Sequence, residues 1–281
     1  MIKVGNTLQV RKNTGELVSF DINKLADALQ RSGASDSEID QVIQQVRTSL
    51  YEGITTKKIY QLAYSKLRQL SSRSAGRYKL KKALLEMGPT GFPFEQFVGR
   101  LLETEGYTVQ TGQMIHGRCV LHEVDVVGTK QGTILMAECK FHQTEGTKSD
   151  VKTSLYVHSR FEDIKFKYVE EQDNHHNTFI PMLVTNTRFT DDARQFGECA
   201  GLRIVSWDYP TGHSLKDMID RTGLYPLTVL KSLNKQEAIK LMESGTVLCR
   251  EIIEKPDVLD FLRIPNRRIS NILQEAHSLI R

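Results

Sequence analysis

The sequence predicts an α/β protein in three parts: a small hairpin followed by helices, a central mixed sheet, and a helical end. Three observations predict it. Near the start, two short apolar runs, "LQVRK" and "LVSF", flank the turn-like "NTGE", and amphipathic helical periods follow. From Tyr107 onward, apolar runs of strand length alternate with helical stretches, the pattern of a βαβ crossover and a partly parallel sheet. Beyond Thr222 only helical periodicity remains.

In the first part Asp21 is placed to cap the first helix. Ser35 and Glu38 have capping-box spacing, and Ile39, Val42, Ile43, Val46 and Leu50 then recur at the helical period. A third helix opens at Thr55 or Thr56 and buries Ile59, Leu62, Ala63, Leu67 and Leu70. A basic helix over Tyr78–Leu85 ends at "MGPTGFP", where Gly and Pro break the chain. The second part opens with "FEQFVGRLLETEG", with Pro93 in its first turn and Phe94, Phe97, Val98, Leu101 and Leu102 on one face. Strands are expected at Tyr107–Gln113, Val120–Val127 and Thr133–Phe141, then a helix over Asp150–Glu170, then strand, helix, strand through "LRIVSW". The boundaries expected from this pattern are 1–88, 89–221 and 222–281.

Charge is uneven although the net is only +4. Residues 1–90 carry 15 Lys/Arg against 8 Asp/Glu, residues 91–221 carry 14 against 19, and residues 222–281 carry 9 against 7. Lys57–Lys82 holds nine basic side chains and no acid, which suits a polyanion or, equally, a solvated helix face. No apolar run reaches the roughly 18 residues a membrane span needs. The four cysteines, Cys119, Cys139, Cys199 and Cys249, form no CxxC pair, so a reduced cytoplasmic setting is expected.

The residues that no core requires are Asp125, Glu138 and Lys140, in "EVDVVGTKQGTILMAECK". Strand alternation puts Glu138 and Lys140 on one face, and a hairpin at "GTKQG" brings Asp125 to the neighbouring strand. Two converging carboxylates repel unless a cation lies between them, and oxygen donors suit Mg²⁺ or Mn²⁺. Such an ion with a lysine beside it has the parts for phosphodiester hydrolysis. Charged strand ends that merely reach water give the same pattern. His116, His122, His142 and the pair His175-His176 are weaker candidates, with no cysteine pair nearby to make a zinc site.

With the helix acid Glu95 in front, the order of "FEQFVGRLLETEGYTV", "HEVDVVG", "ILMAECKF" and "LVTNTRFTDDARQFGECAGLRIVSW" resembles the PD-(D/E)xK nuclease superfamily, in its Mrr-like, type IV restriction endonuclease branch. The resemblance covers about Gly91–Trp207. It implies a metal held by Asp125, Glu138 and the backbone carbonyl of Cys139, with Lys140 assisting the attacking water and Glu95 completing the catalytic set. Val124 stands where the name-giving proline would be. The segment from "QVRKNTGELVSFDINKLADALQRSGAS" through "GITTKKIYQLAYSKL" to "AGRYKLKKAL", about Ile2–Leu85, resembles the ATP-cone, a regulatory nucleotide-binding module. That implies ATP or dATP meeting Val10, Arg11, Lys12, Lys24 and Thr56, with Lys81 and Lys82 as further phosphate contacts. The tail resembles small helical DNA-contacting modules of the helix-hairpin-helix kind, with Arg267 and Arg268 facing phosphate or, equally, serving packing. The expectation is a Mg²⁺-dependent DNA endonuclease under ATP or dATP control, a homo-oligomer without membrane association. The rivals are a non-catalytic nucleotide-responsive DNA-binding regulator and a nuclease for RNA or branched DNA.

Overall fold

The computed structural model describes residues 8–12, 14–171 and 178–280. Asn13 of the expected turn and the His175-His176 pair lie outside them. By compactness the chain divides into two units: one comprises Met1–Leu80 with Gln274–Arg281, the other Lys81–Leu273. The expected boundaries at 88/89 and 221/222 therefore both fall inside the second unit.

In the first unit β1 (Gln9–Arg11) and β2 (Leu17–Ser19) form an antiparallel hairpin. Three helices follow, α1 (Ile22–Arg31), α2 (Asp36–Thr48) and α3 (Thr56–Leu70). Their starts obey the local chemistry. The Asp21 carboxylate accepts from the Asn23 N–H, and Ser35 and Glu38 form a reciprocal capping box. Thr55, rather than Thr56, caps α3 by accepting from Lys58 N–H. Leu25, Leu29, Val42, Val46, Ile59, Ala63 and Leu67 close one core, with Val10 of β1 inside it. The basic helix α4 starts earlier than its sequence pattern suggests and runs Ser72–Leu85.

The second unit is built on a five-stranded sheet in the order β3-β4-β5-β7-β9. Helix α5 (Phe92–Thr104) leads into β3 (Thr108–His116), β4 (Leu121–Lys130) and β5 (Thr133–Lys140), which are antiparallel neighbours. The β4–β5 connection is only Gln131-Gly132, with φ 43° and 75°, the left-handed pair that a two-residue hairpin requires. After the short β6 (Lys148–Ser149), helix α6 (Val151–Glu171) crosses over to β7 (Thr178–Thr185), parallel to β5. The two-residue β8 (Arg188–Phe189) pairs with β6, and α7 (Asp191–Cys199) leads to β9 (Arg203–Val205), parallel to β7. Phe94, Phe97, Val98, Leu101 and Leu102 of α5 are fully buried, as their spacing predicts. On α6, Phe161 and Ile164 pack with Val124, Val127 and Met136 of β4 and β5.

The helical end comprises α8 (Leu215–Thr222), α9 (Lys235–Glu243), α10 (Cys249–Glu254) and α11 (Asn266–Ile280). Within the second unit, Arg100 of α5 binds Glu251 at 2.8 Å and Thr228 Oγ1 donates to the Ala83 carbonyl at 2.7 Å. Arg268, expected as a phosphate or packing contact, makes a two-pronged pair with Glu237 of α9, at 2.6 and 2.9 Å. That partner gives its guanidinium a packing role, although the side chain is still 40% exposed. Among the described residues no helix is long and apolar enough to cross a membrane.

Candidate active site

The site forms where two strands part company. β4 and β5 pair from Lys130↔Thr133 down to Val126↔Ala137. Past that step β5 continues to Lys140 alongside β7, and β4 keeps its pairing with β3. On the β3 side the ladder passes from Thr111↔Val126 to Gln113↔Val124, and Gly112, with φ 60°, stands opposite Asp125 at the interruption. The separation leaves the Cys139 N–H without a ladder acceptor on β4. The Asp125 carboxylate replaces it, accepting that N–H at 2.7 Å. Asp125 is therefore fixed on the main chain of the strand that carries Glu138 and Lys140.

Glu138 and Lys140 share a face as alternation requires, and Lys140 Nζ lies 2.6 Å from Glu138 Oε1. The other oxygen, Oε2, receives Arg160 Nη1 of α6 at 2.6 Å. Glu138 is 11% exposed and Arg160 14%, so this is a shielded charge pair rather than a surface contact. The other terminal nitrogen, Nη2, donates to the Glu123 carbonyl. The Tyr156 ring, one helical turn earlier, lies 5.2 Å from the guanidinium.

Glu95 of α5 completes the group. Burial first, then the carboxylates of Asp125, Glu123 and Glu138, push its pKa from 4.5 to about 7, against the opposing charge of Lys140. Burial and then Glu138 push Asp125 from 3.8 to about 6, although the Cys139 N–H, Lys140 and Arg160 act the other way. Raised pKa values in a crowd of half-buried acids are the electrostatic signature expected of a functional site. The Cys139 thiol is buried and held well above its ordinary pKa, by burial and then by Asp125, so it is no thiolate nucleophile or soft ligand. Among the described residues no three His, Cys, Asp or Glu side chains yet meet at a single metal-sized point.

Asp125, Glu138 and Lys140 are thus brought together, and Glu95 lies within electrostatic reach of them. Sequence reasoning missed Glu123, which adds charge to Glu95, and Arg160. A signal for Arg160 existed: it falls among Val157, Phe161 and Ile164, on the core-facing stripe of α6, where an arginine needs a buried partner. The weaker histidines have other duties. His122 pairs with Asp163 at 2.7 Å, His142 bonds Ser149 at 3.1 Å, and His116 is exposed.

In the first unit, Arg11 and Lys12 are exposed on and just after β1, and Lys24 is exposed on α1. The β1 backbone is tied to the start of α3, since Arg11 N–H donates to the Ile54 carbonyl at 3.0 Å. Thr56, the first residue of α3, follows directly from that tie. Lys12 binds Glu16 at 2.9 Å. Val10 is 3% exposed and belongs to the core. Lys81 and Lys82 belong to the other unit, paired with Glu145 at 3.0 Å and Glu86 at 3.4 Å.

Comparison with known proteins assigns the ends of the chain. Residues 8–86, most of the first unit and the start of the second, match the family described as the ATP cone domain. Residues 225–280 match the family described as AF1548-like, C-terminal. An uncharacterized protein of Archaeoglobus fulgidus is 29% identical over 184 residues, which is 65% of this chain and 99% of that protein. The crystal structure of the protein of unknown function AF1548 aligns with a TM-score of 0.57 and 28% identity, over 68% of this chain and 98% of that one. Can2 from Sulfobacillus thermosulfidooxidans, in complex with cyclic tetra-adenylate, aligns at 13% identity and a TM-score of 0.34, over 71% of this chain and 54% of its own. The MspJI restriction endonuclease, in complex with a 27-mer oligonucleotide, gives 12% and 0.29, over 68% and 43%. At those last two scores the likeness carries no information about chemistry.

Proposed function

We propose that the chain is a metal-dependent DNA endonuclease of the Mrr-like, type IV restriction kind, which hydrolyses phosphodiester bonds under the control of ATP or dATP. In functional terms residues 1–88 sense the nucleotide, 89–221 cut, and 222–281 form a helical C-terminal module. One observation carries the reading: Asp125, Glu138, Lys140 and Glu95 gather where β4 leaves β5, with Asp125 bonded to the Cys139 N–H. The donor set fits a hard cation, because it offers carboxylate oxygens and no thiolate. Asp125 and Glu138, with the Cys139 carbonyl, would hold Mg²⁺ or Mn²⁺, which supplies charge neutralisation at a phosphoryl group and an acidified water.

The chain's own residues do the rest. Lys140, kept in place by Glu138, is a point charge at the mouth of the site, 35% exposed. Without a cation Glu95 is raised to about 7 and can exchange a proton near neutrality, and a dication bound by its neighbours would favour its carboxylate form. The nucleotide would act from the ATP cone through a second state of the protein, whether of conformation or of self-association.

The test is cleavage of supercoiled plasmid, linear duplex, branched DNA and RNA with Mg²⁺, each with and without ATP and dATP. Wild type is expected to cut DNA. Asp125→Ala, Glu138→Ala and Lys140→Ala should each lose on the order of a hundredfold or more in rate. No cleavage under any nucleotide condition, or equal cleavage by Asp125→Ala, contradicts the reading. Preference for RNA or branched DNA corrects the substrate.

A further inference from the structure

We propose that Arg160 is a resident counter-cation: it holds Glu138 in the metal-free site, yields it to a divalent ion, and then presents its guanidinium to a substrate phosphate. This inference rests on the nuclease reading and assigns Arg160 a role that the four catalytic residues do not cover. The starting point is that each oxygen of Glu138 already accepts a charged donor. Oε1 is held by Lys140 and Oε2 by Arg160, both at 2.6 Å. A cation bound by Glu138 would add a second positive charge beside one of them.

Arg160 is the one to leave. Lys140 is carried by the same strand as Glu138, two residues on, and so stays beside it. Arg160 reaches in from α6 and has other anchors that persist without Glu138, the Glu123 carbonyl and the Tyr156 ring. A guanidinium and a dication on one carboxylate oxygen repel each other, since each sits within a few ångströms of the other's charge, and this weakens the hold of Arg160. Without metal the arrangement makes sense too. A carboxylate as shielded as Glu138 is costly to leave unpaired, and Arg160 removes that cost. Once freed, a planar fork still tethered at Glu123 and Tyr156 stays beside the site, and a phosphate suits that fork. Metal binding would thus create a phosphate contact, which couples the two ligands.

The experiment uses the full chain without nucleotide. Mn²⁺ binding is measured by calorimetry for wild type, Glu138→Ala, Arg160→Met and Arg160→Lys, with circular dichroism melts to show folding. A labelled DNA duplex is then titrated by fluorescence anisotropy in Ca²⁺ and in chelator. Wild type should bind Mn²⁺ in a Glu138-dependent way. Arg160→Met should bind it more tightly, on the order of tenfold, the worth of one charge-assisted hydrogen bond. The same variant should lose the Ca²⁺-dependent gain in DNA affinity. Should Arg160→Met not fold, Arg160→Lys carries the test: unable to span Glu123 and Glu138 together, it should tighten Mn²⁺ by a smaller factor. A merely structural ion pair would leave Mn²⁺ affinity equal or weaker in the folded variants, and that result overturns the proposal while leaving the nuclease site standing. Absence of Glu138-dependent Mn²⁺ binding in wild type overturns both.

Discussion

Glu95→Gln should stabilise the metal-free protein at pH 8 while removing a residue that its chemistry needs. The carboxyl of Glu95 is raised from 4.5 to about 7, by burial first and then by three neighbouring acids. An acid whose pKa is higher folded than unfolded binds its proton more tightly in the native state. Its contribution is therefore most favourable below the unfolded value, is lost as pH rises from about 4.5 to about 7, and is a full penalty above 7. Taken at face value the displacement is worth roughly 3 kcal/mol. Glu95 is only half-buried, so solvent screening brings this to about 1–2 kcal/mol. Glutamine keeps the shape without the charge. For a unit of this size the gain is roughly 3–6 °C in Tm. The assay is a melt of the sheet-unit transition, in chelator, at pH 8 and at pH 5. The difference should shrink to a fraction of its size at pH 5, where the native wild type holds its proton. A Glu95→Gln protein no more stable than wild type at pH 8, or one with the same gain at both pH values, would refute the picture of crowded acids.

Two further outcomes test the frame around the site. Gly197→Ala places a Cβ 2.6 Å from Ile204 Cδ1, and should cost about 1–3 kcal/mol in urea unfolding by forcing α7 off β9; adding Ile204→Val removes that methyl and should recover part of the loss. ATP or dATP at a hundred times its Kd should stabilise the first unit by about 2.7 kcal/mol in a thermal shift, with Arg11→Ala and Lys12→Ala needing more nucleotide for the same effect.

What was legible in the sequence follows from the range of the forces. Caps act within three residues, so Asp21, Ser35 and Glu38 announced α1 and α2. The hairpin at Gln131-Gly132 was legible because only a few residues tolerate left-handed φ. Strand alternation and the hairpin made the nearness of Asp125, Glu138 and Lys140 legible, whereas Glu95 entered only through the family resemblance. β3 was expected to stop at Gln113, but it runs to His116, because Gly112 kinks a strand that continues rather than ending it. The β6–β8 pair, two residues each, is too short to leave a pattern. Arg160 was missed because its partner lies 22 residues away on another element, and the two readings of Arg268 stayed open because Glu237 lies 31 residues away. Periodicity put Arg160 on the core-facing stripe of α6 and so called for a partner, but which residue answers at that distance is set by the tertiary fold.

Anomalous diffraction from crystals soaked in Mn²⁺ tests the account most directly. A single manganese peak should lie between the carboxylates of Asp125 and Glu138, with the Arg160 guanidinium withdrawn from Glu138. Manganese found elsewhere, or a saturating soak that leaves Arg160 on Glu138 with no peak between the two acids, would contradict it.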